Sequence, residues 1–178
     1  TVTLNAKTSG IFQKRLPEKY DDPGMFTIPI RIGRFRIRKA LLDLGASINV
    51  LPYRAYLDLE LGPLTETDIK VQLADGTFIT PRGIVENALV QVEELIFPVD
   101  FFVLDMQDKE AKGPFMLGRP FMKTSRTKID CFEGIVTMEY NGDIVGHRIR
   151  EDVSIFIPNA SALSVDNDSI RMTYESDE

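Results

Sequence analysis

The chain of 178 residues holds one cysteine, Cys131, and one histidine, His147. A single thiol cannot form an intrachain disulfide, which suits a reducing compartment. A lone histidine leaves any metal site to carboxylates, so neither a metal nor a cofactor is expected. It also leaves Ser47 without an elbow motif or a triad, which argues against a serine nucleophile. No apolar run approaches the roughly 18 residues of a membrane-spanning helix, and the stretch from Thr1 does not read as a secretory signal. Positive charge is in deficit: 21 Lys and Arg stand against 27 Asp and Glu, a formal charge of -6. Nucleic acid and membrane are therefore not expected as partners.

What the chain does have is a core. Apolar residues make up 43% of it, enough for one domain with length to spare for tails. Residues 1–20 are polar and weakly patterned and read as a flexible N-terminal extension. Residues 21–158 read as the folded domain, and the Ser-, Asn- and Asp-rich residues 159–178 as a disordered tail. Asp21-Asp22-Pro23-Gly24 reads as a turn. From Met25 the pattern alternates: Phe26, Ile28, Ile30 and Ile32 share one face of a predicted strand. Gly33-Arg34 turns into a second strand, with Phe35 and Ile37 alternating before Ala40-Leu41-Leu42.

A short helix is expected next, capped by Ser47 or Asn49, with Pro52 in its first turn, Tyr56 and Leu59 facing inward, and Gly62-Pro63 at its end. Strands then follow. Asp75-Gly76 between alternating runs is a hairpin signal, and Phe97, Val99, Phe101 and Val103 alternate again. Asp105–Gly113 reads as a charged loop. Pro114 to Gly118 is a buried strand, and Arg119-Pro120 opens a second short helix. Ile129–Tyr140, Asn141-Gly142 and the following run read as a late hairpin. Many short strands with one or two brief helices make an all-β, small closed barrel-like domain. There is also an internal echo. Residues 40–45 and 114–119 are both apolar strands that stop at a glycine and precede a helix with an early proline, as in two related halves.

The chemistry centres on Asp43. A carboxylate at the end of an apolar strand is costly to bury alone, and Gly45-Ala46 let backbone approach it closely. A bare D-x-G is more often a strand-end turn bonded to its own backbone. The wider context changes that reading. ALLDLGASINVLPY, the LADGT hairpin, IFPVDFFVLDM and FMLGRPFMKTSRTKID, in this order and spacing, resemble the retropepsin-like aspartic protease of gypsy-type LTR retrotransposons in plant genomes. The resemblance runs from about residue 21 to about residue 150.

That resemblance implies a homodimeric aspartic endopeptidase that needs no cofactor and cleaves the element's own polyprotein. Its setting would be a cytoplasmic virus-like particle. Asp43 is then the catalytic aspartate, in an active-site loop of Leu44, Gly45, Ala46 and Ser47. Ala74, Asp75, Gly76 and Thr77 form the flap tip over an extended peptide substrate. Leu117, Gly118 and Arg119 are the apolar-Gly motif that crosses beneath the loop as structural support. The two Asp43 copies hold one proton between them, because like charges that close cannot both ionise easily. Leu44 departs from the family, which mostly carries Thr or Ser there and uses the hydroxyl to bond across the dimer. The alternative reading is a catalytically impaired domain acting as a dimerisation or peptide-binding module.

The remaining candidates have plainer readings. Asp75 is explained by its turn, Asp100 by a solvent face, Asp105 and Asp130 by caps or surface pairs, and Glu93-Glu94 by a hairpin turn. Arg119 reads as either a carboxylate partner near the loop or a surface residue. His147 reads as a surface or interface histidine, and Cys131 as a small buried hydrophobe.

Overall fold

The computed structural model describes residues 17–73, 75–105 and 114–149, and the backbone of 153–157. The expected disordered tail (159–178), residues 1–16 of the expected N-terminal extension, most of the charged loop and Ala74 lie outside the described residues. Residues 17–20 are in neither helix nor strand, yet Tyr20 packs edge-on against Phe132 with centroids 5.1 Å apart.

Six strands close into a barrel in the order β1-β2-β8-β3-β7-β6. They are β1 (Thr27–Ile32), β2 (Phe35–Leu42), β3 (Asn49–Pro52), β6 (Gly83–Val92), β7 (Leu95–Leu104) and β8 (Met116–Leu117). β4 (Val71–Gln72) and β5 (Phe78–Ile79) form a small separate hairpin. β9 (Lys128–Asp130), β10 (Ile135–Tyr140), β11 (Asp143–Arg148) and β12 (Val153–Ile157) form a four-stranded sheet in the order β12-β11-β10-β9. Two short helices, α1 (Tyr53–Leu59) and α2 (Arg119–Thr124), follow β3 and β8.

The alternation read from the sequence is what fills the barrel. Ile28, Ile30 and Ile32 of β1 are buried, as are Phe97, Val99, Phe101 and Val103 of β7, because side chains two apart on a strand share a face. Each contributes roughly 1.5–3 kcal/mol by leaving water. Phe26 and Ile37 are half-buried against this core. Pro29 interrupts β1, and the pairing with β2 shifts register there, between Ile28 and Ile30. Proline has no N–H for the ladder and is confined to such irregularities.

Turn chemistry sets the hairpins. Gly33 begins the β1–β2 turn at φ 55°, the first central position of a type II′ connection. Asn141 and Gly142 both have positive φ, 53° and 91°, and join β10 to β11 between paired Tyr140 and Asp143. That is the Asn-Gly preference of a type I′ turn.

Three local expectations are corrected. The helix after the Asp43–Ser47 loop starts later than expected: Asn49–Pro52 is strand, paired in parallel with Phe101–Leu104, and Pro52 is the N-cap. Tertiary pairing with β7 overrides the local cap signal. Cys131 is exposed, because β9 ends at Asp130 and a turn follows, where the Asp130 carboxylate accepts the N–H groups of Phe132 and Glu133. His147 is buried, at 5% exposure, since β11 lies between β10 and β12.

Candidate active site

β2 delivers Asp43 to the end of the barrel and is held there from both sides. Leu42 N–H donates to Phe26 O at 2.8 Å, and Leu41 N–H to Phe115 O at 2.8 Å. Asp43 N–H donates to Leu117 O at 3.0 Å. The two strands that echoed each other in sequence therefore lie side by side, in parallel, with Leu41 opposite Met116 and Leu42 opposite Leu117.

Beyond Asp43 the chain turns back on itself, and Ala46 N–H donates to Asp43 O at 3.2 Å. Gly45 N–H donates to the carboxylate Oδ1 at 2.7 Å. A Cβ on Gly45 would stand 3.1 Å from that oxygen, tight enough to disturb the bond. The local bond is not distinctive by itself, since Gly24 N–H donates to Asp22 Oδ1 at 2.9 Å in a plain surface turn. What separates Asp43 is the support beneath its loop.

That support is Leu117, Gly118 and Arg119. A Cβ on Gly118 would lie 2.2 Å from Ile48 O and 2.9 Å from Ala46 O, so only glycine lets this strand cross so closely. Arg119 N–H donates to Ala46 O at 3.0 Å. Its guanidinium donates to Leu44 O at 3.0 Å and Gly45 O at 3.2 Å. Arg119 thus clamps loop carbonyls rather than pairing with a carboxylate.

Asp43 is half-buried as a residue, while Leu44, Gly45 and Ser47 are exposed and Ala46 is intermediate. Leu44, next to Asp43 in the chain, is 65% exposed in the single chain. Asp75, Gly76 and Thr77 sit at the tip of the β4–β5 hairpin. Asp75 Oδ1 accepts both the Thr77 hydroxyl at 2.7 Å and the Thr77 N–H at 2.9 Å. These bonds favour the ionised form and hold the Asp75 carboxyl below its ordinary range, the hydroxyl contributing most. Gly76 has φ 85°, the conformation the turn requires. The described residues contain no group of three or more His, Cys, Asp and Glu side chains able to hold a metal ion. A single carboxyl can act as a general acid or as a general base, but it cannot do both at once.

The other carboxylates take surface roles. Asp100 accepts Asn87 N–H at 2.8 Å, and Asp105 pairs with Arg82, whose guanidinium also lies over the Tyr53 ring at 4.9 Å. The sequence reading missed Asn49 as part of the site. Its carboxamide is buried under the loop, and only the β3 pairing, invisible from local signals, places it there.

The closed barrel, with its separate β4–β5 hairpin and a D-x-G loop over a crossing glycine, is a retropepsin-like fold. Residues 28–121 match the aspartyl protease family, and the chain belongs to that family. The retroviral protease-like domain of Ddi1 from Leishmania major is similar in structure, with 20% identity and TM-score 0.52 over 65% of this chain and 90% of that one. The protease of EIAV, solved with the inhibitor HBY-793, is similar too, with 18% identity and TM-score 0.51 over 64% of this chain and 99% of that one. No curated protein matches the sequence.

Proposed function

We propose that the protein is the aspartic endopeptidase of a gypsy-type LTR retrotransposon from a plant genome. On this reading it is a homodimer that processes the element's polyprotein within a cytoplasmic virus-like particle. The observation that carries the reading is Asp43 itself, its backbone N–H tied to the crossing strand at Leu117 and its carboxylate held by Gly45 N–H, with exposed Leu44 next to it in the chain. D-x-G-A-S occurs once in the sequence, so a second carboxyl must come from a second chain. A twofold axis beside Leu44 would supply it, because an isologous contact sets the same patch against itself.

With two Asp43 carboxyls and one shared proton, the ionised one takes a proton from water. The water oxygen attacks the peptide carbonyl while the neutral partner polarises the carbonyl oxygen. No covalent intermediate forms: the carboxyl that took the water's proton passes it to the amide nitrogen as the C–N bond breaks, which frees an acid and an amine and leaves the pair again holding one proton. The peptide lies extended between loop and flap, adding a strand by backbone hydrogen bonds. Cleavage of a polyprotein-derived peptide by purified protein, blocked by pepstatin and lost in Asp43→Asn, is the expected result. Undiminished cleavage by Asp43→Asn would refute the reading.

A second reading is favoured by Leu44 alone. Without the hydroxyl that mostly occupies this position in retropepsins, the domain could bind peptide and dimerise without turnover. Peptide binding by a dimer that never cleaves would select it.

A further inference from the structure

We propose that Asn49 is a positioning residue for the Asp43 carboxylate, acting through one planar peptide unit; this rests on the aspartic-peptidase reading of the site. Asn49 opens β3 and is 3% exposed. Both ends of its carboxamide are used. Oδ1 accepts the Gly118 N–H at 2.8 Å, and Nδ2 donates to Asp100 O of β7 at 3.1 Å.

The Gly118 N–H belongs to the same peptide unit as the Leu117 carbonyl. A trans peptide is planar, so its N–H and C=O point in fixed, opposite directions. Asn49 holds the N–H end of that unit, and the C=O end accepts Asp43 N–H at 3.0 Å. Whatever rotates the Leu117–Gly118 peptide therefore moves the anchor of Asp43. Arg119, the next residue, carries the clamp on Leu44 and Gly45 carbonyls, and Gly45 N–H in turn holds the carboxylate Oδ1. One buried carboxamide thus orients both attachments of the reacting group. It works only as a donor and an acceptor at once.

That double requirement makes Asn49→Asp the discriminating variant. A neutral carboxyl of nearly the same shape can accept from Gly118 and donate to Asp100 O. An ionised one cannot donate, and it sets a negative charge against the Asp100 carbonyl. Burial raises a carboxyl's pKa, so the variant should keep both bonds in acid and lose one as pH rises.

The test uses the full chain, with amide exchange by NMR and steady-state kinetics across pH. In Asn49→Asp, kcat should match wild type on the acid side, and the alkaline limb of the profile should move down by about one pH unit or more. In Asn49→Ala, kcat should fall by about tenfold or more with KM within about threefold. Exchange of the Asp43 and Gly118 amides should speed by about tenfold or more relative to β6 and β7 amides. If Asn49→Ala does not fold, Asn49→Asp in acid, with both bonds intact, carries the same comparison against its own alkaline form. Wild-type kcat and Asp43 exchange in Asn49→Asp at a pH where NMR shows the introduced carboxyl ionised overturn the proposal, as does unchanged Asp43 exchange in a folded Asn49→Ala. Exchange is read without turnover, so a wild-type protein that cuts nothing sinks the peptidase reading while the exchange result still decides Asn49.

Discussion

The Asp43 N–H donates to the carbonyl oxygen of Leu117 at 3.0 Å. This single bond joins the strand that ends at the candidate catalytic residue to a strand far along the chain. Because β2 and β8 run parallel, the crossing strand leaves directly beneath the loop that follows Asp43, and its next residue is the glycine that permits the approach.

Gly118→Ala is expected to be one of the most damaging small substitutions in the chain. The added methyl would meet backbone oxygens, not the end of a flexible side chain. Overpacking of this kind costs about 1–3 kcal/mol, occasionally more. Denaturant unfolding should show the loss, and a midpoint equal to wild type would mean that the loop moves aside freely.

Leu44 separates the stability of one chain from the stability of the pair. It is 65% exposed in the single chain, so Leu44→Ala should change the monomer's unfolding by no more than about 0.5 kcal/mol. In the proposed homodimer the same change would remove an apolar contact and restore no hydrogen bond. Leu44→Thr regains the family's cross-chain bonds, worth roughly 0.5–1.5 kcal/mol each. Activity should then appear at lower protein concentration for Leu44→Thr and at higher concentration for Leu44→Ala. Sedimentation alongside activity checks both, and Leu44→Thr dimerising as poorly as Leu44→Ala would show that the leucine itself is required.

The flap turn should weaken in acid. Thr77 hydrogen bonds lower the Asp75 pKa in the folded chain. A lowered folded value stabilises the turn above the unfolded pKa, and that contribution fades as pH falls through the folded one. NMR titration should find Asp75 below the ordinary 3.8, with Thr77 amide protection lost over the same range. A titration midpoint above 3.8 would contradict the hydrogen bonds.

Gly76→Val tests whether that turn serves substrate. At φ 85° a β-branched residue is strained, but the hairpin is small and separate from the barrel. Turnover should fall by about tenfold or more, while thermal unfolding of the barrel shifts little. Equal kinetics would make LADGT an ordinary surface turn.

The sequence is most legible where one physical signal dominates. Period-two alternation places Ile28, Ile30 and Ile32, and Phe97 to Val103, on the core face, and the structure buries them. Asp75-Gly76 and Asn141-Gly142 mark their turns by backbone chemistry alone. Long-range pairing is where local reading gives way. Asn49 carries a helix-cap signal, but β3 pairs with β7, and its carboxamide closes a bond to Gly118. Cys131 lies outside β9 because the Asp130 carboxylate ends the strand in a turn. Arg119 finds carbonyls instead of a carboxylate because the loop turns its C=O groups toward it. The Asn49 and Arg119 contacts join residues far apart in sequence, so no local pattern could reveal them, whereas the Asp130 turn is local.

The central claim is that two Asp43 carboxyls, one from each chain, make one active site. The most direct measurement is turnover of a peptide substrate while Asp43→Asn protein is titrated into a fixed amount of wild type, at a concentration where dimers form and subunits exchange. Each mixed dimer then holds one carboxyl. Activity should fall roughly as the square of the wild-type fraction per total dimer, well below simple dilution. Activity that stays constant per wild-type chain, whatever the excess of Asp43→Asn, would show that each Asp43 works alone and would contradict the account.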